Sequence, residues 1–221
     1  MHPAPFDQQI YQVRLEWGVE GLARLAPADI IVVVDVLRFS TTVADAVTAG
    51  TTLALDEHTS AVSLNGAAVT AAAAETDALV LLGCLRNASA VAAAVLAEQE
   101  RRGGRTSVAV IAAGELTGRH PGAALRFAVE DQLGAGAIID ALGDLGIDHT
   151  SPDAAAAGEA FRGLRRAVRH LLTASGSGRE LTARGRADEV VHAAAIDASN
   201  TVPVLVRGTF VAYPPPFEPA L

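Results

Sequence analysis

The chain has 221 residues, half of them hydrophobic and only 4% aromatic, which is enough to bury one ordinary core of Ala, Val, Leu and Ile and too apolar for a disordered segment. The 17 basic residues are outnumbered by 25 acidic ones, giving a net charge of -8, and every basic residue is Arg. A P-loop lysine, a Schiff-base lysine and a Ser-Lys dyad are therefore excluded, and the negative balance argues against general nucleic-acid binding.

In chain order, Met1-His2-Pro3-Ala4-Pro5 carry no basic segment followed by an apolar stretch, and no apolar run reaches membrane-spanning length. Ile30-Ile31-Val32-Val33-Val34, Leu79-Val80-Leu81-Leu82 and Ser107-Val108-Ala109-Val110-Ile111-Ala112-Ala113 are short, apolar runs that predict buried strands. Helical segments follow them, so the rhythm predicts an α/β fold whose sheet is covered on both faces. Asn87 is a candidate N-cap for a helix closing near Arg101-Arg102-Gly103, and Ser151-Pro152 open another. Phe161, Leu164, Val168, Leu171 and Leu172 are read as the stripe of that second helix, opposite a solvated face of Arg162, Arg165, Arg166 and Arg169.

Ser175-Gly176-Ser177-Gly178 reads as a flexible turn, residues 188–197 as a short helix, and Val202-Pro203-Val204-Leu205-Val206 as a strand entering a hairpin near Gly208. Tyr213-Pro214-Pro215-Pro216 reads as an extended tail. No linker or tandem repeat divides residues 1–221, so one domain is expected, with two intertwined α/β halves as the variant of that reading. The lone Cys84 excludes an internal disulfide or thiolate metal cluster and suits a reducing, cytoplasmic setting.

Chemistry is expected where the first buried strand runs into Asp35-Val36-Leu37-Arg38-Phe39-Ser40-Thr41-Thr42. In an open α/β sheet, ligands bind at the carboxyl ends of strands, and a following helix offers amide groups to an anion. Asp35 suits a hard cation, Arg38 a phosphate or sulfonate, and Thr41 and Thr42 supply hydroxyl donors. Helix capping by Asp35 is the competing reading. Glu130-Asp131 are adjacent carboxylates that reach one cation only if their helix end faces the site; such pairs are by default solvated surface. Asn65-Gly66 and Arg86-Asn87 are by default turn residues, with phosphate contact as the alternative.

Several phosphatase chemistries are missing. Asp35 is followed two positions later by Leu37 rather than a second Asp, and the position six after Cys84 is Ala90 rather than Arg. There is no Gly-x-Ser-x-Gly elbow and no His-Glu-x-x-His pair. Oxygen-bound Mg²⁺ is thus a better expectation than Zn²⁺.

The sequence resembles the 2-phosphosulfolactate phosphatase family, known for a Mg²⁺-dependent step of coenzyme M biosynthesis. The resemblance rests on Val33-Val34-Asp35-Val36-Leu37-Arg38 with Ser40-Thr41-Thr42, on Leu64-Asn65-Gly66, on residues 83–92, and on Glu130-Asp131 with Ala135-Gly136. Asp188 and Val202-Pro203-Val204-Leu205 follow in family-like order. It implies a three-layer α/β/α enzyme with a mainly parallel or mixed sheet, acting on a small phospho-acid, and a homodimer. Asp35, Glu130 and Asp131 would be metal-site carboxylates, and Asp35 and Arg38 the catalytic pair. Thr41, Thr42, Asn65, Gly66, Arg86 and Asn87 would surround phosphate. The chain departs from the family at residues 51–62, where a longer stretch with Gly-Glu-Arg and Gly-Asn-Ser-Pro elements is usual; either a substrate-covering loop has been lost or a disordered piece is missing from this interval. Three readings stay open: a phosphatase of 2-phosphosulfolactate or a related phospho-acid, a relative acting on another phosphate monoester, and a binding protein without turnover.

Overall fold

A computed structural model describes residues 5–56, 63–118 and 123–214. One seven-stranded sheet organises them, beside a separate antiparallel pair of β6 (Glu115–Leu116) and β7 (Leu125–Arg126). Strands β1 (Val13–Trp17), β2 (Ile30–Val34), β4 (Leu79–Gly83) and β5 (Val108–Ala112) run parallel in the order β1-β5-β2-β4, and β8 (Pro203–Val206), β9 (Thr209–Ala212) and β3 (Leu53–Ala54) extend the sheet antiparallel. The three runs read as buried strands are β2, β4 and β5, and both faces of each are covered. Ile30, Val32 and Val34 enter one core with Val108, Val110 and Ala112, while Ile31 and Val33 enter the other with Ala109 and Ile111. Burial on both sides is why these strands read as unbroken apolar runs rather than as alternating ones.

Helices α1 (Gly18–Arg24), α2 (Phe39–Thr48) and α3 (Leu64–Ala74) contribute Leu22, Phe39, Val43, Val47, Ala67 and Val69 to one face. On the other face lie α4 (Ala88–Arg102) and α5 (Val129–Asp144), with α6 (Pro152–Leu164) packed on α5. Gly136 makes that contact close, since a Cβ there would stand 2.2 Å from the Ala157 carbonyl oxygen. The α4 end falls where Arg101-Arg102-Gly103 places it, Gly103 adopting φ +68° and donating its N–H to Gln99 and Glu100. Ser151 caps α6 by accepting from Ala154 N at 3.2 Å, with Pro152 in the first turn. The β8–β9 hairpin turns through Arg207 (φ +49°) and Gly208 (φ +77°), the left-handed pair that a two-residue turn requires. Pro203 begins β8, and Tyr213 donates to Val202 O to close the hairpin's base. The proposed tail from residue 215 and the interval 57–62 lie outside the described residues.

Two expectations are corrected. The segment from Pro152 is not one helix: α6 stops at Leu164, a 3₁₀ turn spans Arg165–Ala167, and α7 covers Val168–Ala174. The break rotates Leu164 outward, 41% exposed, while Phe161, Val168 and Leu172 stay buried. Ser175-Gly176-Ser177-Gly178 is no loose turn but the start of α8 (Gly176–Ala183), because the Ser175 hydroxyl accepts from Gly178 N at 3.0 Å and acts as its cap. Gly178 is needed there, since a Cβ would meet the Leu172 carbonyl oxygen at 1.9 Å. The final helix, α9, covers Ala187–Ala193, shorter than the segment expected for it.

Candidate active site

The parallel register brings Val34, Gly83 and Ala112 level, so the segments leaving β2, β4 and β5 emerge at one edge of the sheet. After β2 the chain turns to the face carrying α2, and after β5 it leads to the face carrying α5. Divergence of two neighbouring connections opens a crevice between their strand ends. Asp35 stands on one side of it and Gly114-Glu115 on the other.

Asp131 bridges the crevice from the first turn of α5. Its Oδ1 accepts from Val36 N at 2.8 Å and its Oδ2 from Gly114 N at 2.9 Å. Asp35 is built in the same way: Oδ1 accepts from Phe39 N and Oδ2 from Gly66 N, both at 3.1 Å. The first bond caps α2, so the capping role weighed for Asp35 is real, and the second joins α2 to α3. Gly66 permits this approach because a Cβ would lie 2.5 Å from Asp35 Oδ2. Glu130 and Asp131, a pair that would by default face solvent, are 3% and 2% exposed. Both lie in the α5 first turn, where the helix dipole favours negative charge.

Ser177 at the start of α8 joins the acidic set. Its hydroxyl contacts Glu130 Oε1 through a very short hydrogen bond and lies 2.9 Å from Glu115 Oε2. One hydroxyl proton serves one acceptor, so the second contact needs a further proton or a cation. Among the described residues, Asp35, Glu115, Glu130 and Asp131 have no ion-pair partner. Burial pushes the Asp35 carboxyl up to about 6, against the pull of the Ser63 hydroxyl and the Phe39 and Gly66 amides, and the Glu115 charge adds to the rise. Burial, then the charges of Asp35 and Glu130, drive Asp131 well above the usual carboxylate range.

An open cavity of about 290 Å³ covers this floor. Ser63, Leu64, Asn65, Glu115, Ser177, Arg38, Arg184 and Arg186 are among the residues lining it. Asp35 and Glu130 lie beneath the wall, behind Ser63 and Ser177 respectively. Arg38, on the turn into α2, pairs with Glu189 of α9 at 3.6 Å. Burial, together with the positive charges of Arg186 and Arg184, lowers the Arg38 guanidinium from its ordinary value. The cavity lining therefore mixes Arg38, Arg184 and Arg186 with Glu115 and Glu180, and the buried carboxylates of Asp35 and Glu130 lie behind it.

The other sequence-derived candidates separate into two groups. Asn65 lines the cavity and donates Nδ2 to Gly114 O at 2.9 Å, which ties α3 to the turn after β5. Thr41 and Thr42 lie in a smaller groove with Arg38, Asp45, Arg186 and His192. Thr41 donates its hydroxyl to Val36 O at 2.8 Å and is buried. Asn87 is fully buried at the N-cap position of α4, yet its side chain turns back: Oδ1 accepts from Cys84 N and Nδ2 donates to Leu82 O and Thr201 O. Arg86 lies outside the cavity lining, donating to His192 O at 3.1 Å with its Nε 3.3 Å from Asp45 Oδ1.

Glu115, Ser177, Arg184 and Arg186 are absent from the residues picked out by sequence. Glu115 stands three residues past the end of β5, at the same edge of the sheet as Asp35, so extending the strand-end rule by two residues would also have found it. Ser177 was hidden by its glycines, which favour the reading of a flexible turn. Arg184 and Arg186 carry no motif and reach the cavity only through the packing of α8 and α9.

A comparison with curated proteins finds no match. The sequence model described as 2-phosphosulpholactate phosphatase matches residues 54–208, well over half of the chain. The match takes in Gly66, Glu115, Glu130, Asp131, Ser177, Arg184 and Arg186 and begins after Asp35 and Arg38; the Asp35–Gly66 hydrogen bond joins the unmatched strand end to the matched part. The chain belongs to the 2-phosphosulpholactate phosphatase family and is a phosphoric monoester hydrolase.

Proposed function

We propose that this cavity hydrolyses the phosphate ester of 2-phosphosulfolactate or a related small phospho-acid with Mg²⁺, releasing the hydroxy acid and inorganic phosphate. The observation that carries the reading is the set of buried carboxylates, Asp35, Glu130 and Asp131, without an ion-pair partner among the described residues, behind an arginine-lined cavity at the carboxyl ends of the parallel strands. Among the described residues, no three His, Cys, Asp or Glu side chains already gather as a metal site. Mg²⁺ is commonly held by one or two carboxylates, waters and substrate phosphate rather than by an all-protein cage. The oxygen-only donor set fits that mode, and the doubly contacted Ser177 hydroxyl marks where positive charge is lacking.

In this reading one or two of Asp35, Glu115 and Glu130 would hold the cation, with waters and substrate phosphate completing its shell. Asp131 keeps the two strand ends in register by receiving Val36 N and Gly114 N. Bound Mg²⁺ would neutralise phosphoryl oxygens and polarise the attacking water. Arg38 grips the phosphoryl group and stabilises the charge that builds on it, its forked donors matching phosphate oxygens. Gly66 and Asn65 fix the opposite lip, and Thr41 and Thr42 shape the turn that carries Arg38. Asn87 holds the β4 exit, and Arg86 anchors α9 through His192. From the family resemblance we also carry forward a homodimer, checked by light scattering, and from the lone Cys84 a cytoplasmic setting; no helix among the described residues is long and apolar enough to cross a membrane.

The test is inorganic phosphate release from 2-phosphosulfolactate, phosphoglycolate and phenyl phosphate, with Mg²⁺ and then with excess chelator. Release that stops on chelation and is fastest with a phospho-acid is expected. Release unaffected by chelator would remove the metal from the account, and no release from folded protein would remove the activity.

A further inference from the structure

Arg184 and Arg186 flank a helix end whose backbone is fixed by its own hydrogen bonds. Arg186 N donates to Leu181 O at 2.9 Å and Gly185 N to Thr182 O at 3.0 Å, with Gly185 at φ +76°. This is the paired-bond stop that ends helices on a left-handed glycine. It projects one arginine from each side of a rigid three-residue corner, so little backbone ordering remains to be done when a ligand arrives. Both arginines line the same cavity as Arg38 and Ser177.

Their protein partners are weak. Arg184 contacts Glu180 through Nη2, and both side chains are more than half exposed. Arg186 contacts Glu189 through Nε at 2.6 Å, and the other Glu189 oxygen is the one shared with Arg38. Each of these two guanidinium groups thus uses a single nitrogen of its five-donor fork on a solvent-exposed carboxylate. Exposed pairs of this kind are screened and contribute little, so an anion entering the cavity can replace them at small cost. Arg38 already serves the phosphoryl group in the reading above. Two further forks on a wall of the same small cavity exceed what one phosphate needs, and a second acid group on the same molecule would use them.

We propose that Arg184 and Arg186 form a second anion subsite, which selects phosphate monoesters carrying an additional carboxylate or sulfonate; this assignment rests on the hydrolase reading of the cavity. These residues set specificity and do not act on the scissile bond. Their removal should therefore raise KM for acid-bearing substrates and leave kcat and phosphoryl recognition in place.

The experiment compares wild type with Arg184→Gln, Arg186→Gln and the double variant, each with unfolding temperature checked against wild type. Substrates are 2-phosphosulfolactate, phosphoglycolate and phenyl phosphate, which carries no second acid group. Loss of a charge-assisted bidentate contact predicts a rise in KM of about 10- to 100-fold for the acid-bearing esters. kcat should hold within about threefold, and kcat/KM for phenyl phosphate should be unchanged. A larger rise on the sulfonate than on the carboxylate substrate would identify sulfonate as the natural second group, and the reverse would identify carboxylate. Equal losses on phenyl phosphate, or no loss on any substrate, would overturn the subsite. In parallel, titration calorimetry with phosphonoacetate and methylphosphonate reads binding without turnover. Wild type should bind phosphonoacetate more tightly, and the double variant should lose only that advantage. If wild type hydrolyses nothing but keeps this difference, the hydrolase reading fails and the subsite stands; if it binds both phosphonates equally, the subsite falls whatever the activity.

Discussion

Asp35→Asn is expected to lower kcat for 2-phosphosulfolactate by about 10³-fold with the fold retained, as befits loss of a charge acting on the reacting group. Asp35 is the carboxylate that links the β2 exit, the α2 start and the α3 start, through Phe39 N and Gly66 N. An asparagine has one oxygen acceptor in place of two, so one of these amides loses its partner at a cost of about 1–3 kcal/mol. Removing a buried, unpaired negative charge offsets that loss, which is why the variant should still fold. Steady-state phosphate release, with circular dichroism as the fold check, decides it. A kcat within about tenfold of wild type would deny Asp35 a place at the reacting centre.

The second large effect is on stability against pH. The folded chain keeps a proton on Asp35 up to about 6, against an ordinary value of 3.8. Between those values the folded state binds more protons than the unfolded one, so unfolding free energy falls as pH rises through the window and levels off above it. The stabilisation is fully present below pH 3.8, and its size is on the order of 3 kcal/mol. Glu98 titrates the other way, because Arg101 and Arg102 hold it down at about 2; its contribution is lost only in more acid solution. Urea unfolding of wild type and Asp35→Asn at pH 4.5 and 7.5 cancels groups common to both. Wild type should lose on the order of 2 kcal/mol relative to the variant between these pH values, and saturating Mg²⁺ should shrink that loss by favouring the ionised carboxylate. A stability difference that does not change with pH would show that the Asp35 charge is already compensated.

The sequence disclosed the frame well. The β2, β4 and β5 runs are apolar on both faces, and that pattern survives without knowledge of any partner segment. Gly103, Pro152 and Gly208 likewise act locally, through left-handed backbone or a preset φ, so the ends they mark were readable. The floor of the site was half legible: Asp35 follows a buried strand, but the burial of Glu130 and Asp131 depends on where α5 packs, which no local rule supplies. Of the basic wall only Arg38 was legible, because Arg184 and Arg186 resemble any surface arginines until α8 and α9 fold over the strand ends. The break at residues 165–167 was also hidden, since apolar spacing carries through it while the helix axis does not.

In the proposed mechanism the buried carboxylates and the Arg38 guanidinium act on one phosphoryl group with a shared cation, while Arg184 and Arg186 take the second acid group. Calorimetric titration of Mg²⁺ into the protein, alone and with inorganic phosphate, tests it most directly. Weak binding to the protein alone, at least tenfold tighter binding with phosphate, and loss of that gain in both Asp35→Asn and Arg38→Gln are the predicted results. Mg²⁺ affinity that is indifferent to phosphate, or a phosphate effect that survives both substitutions, would contradict the claim.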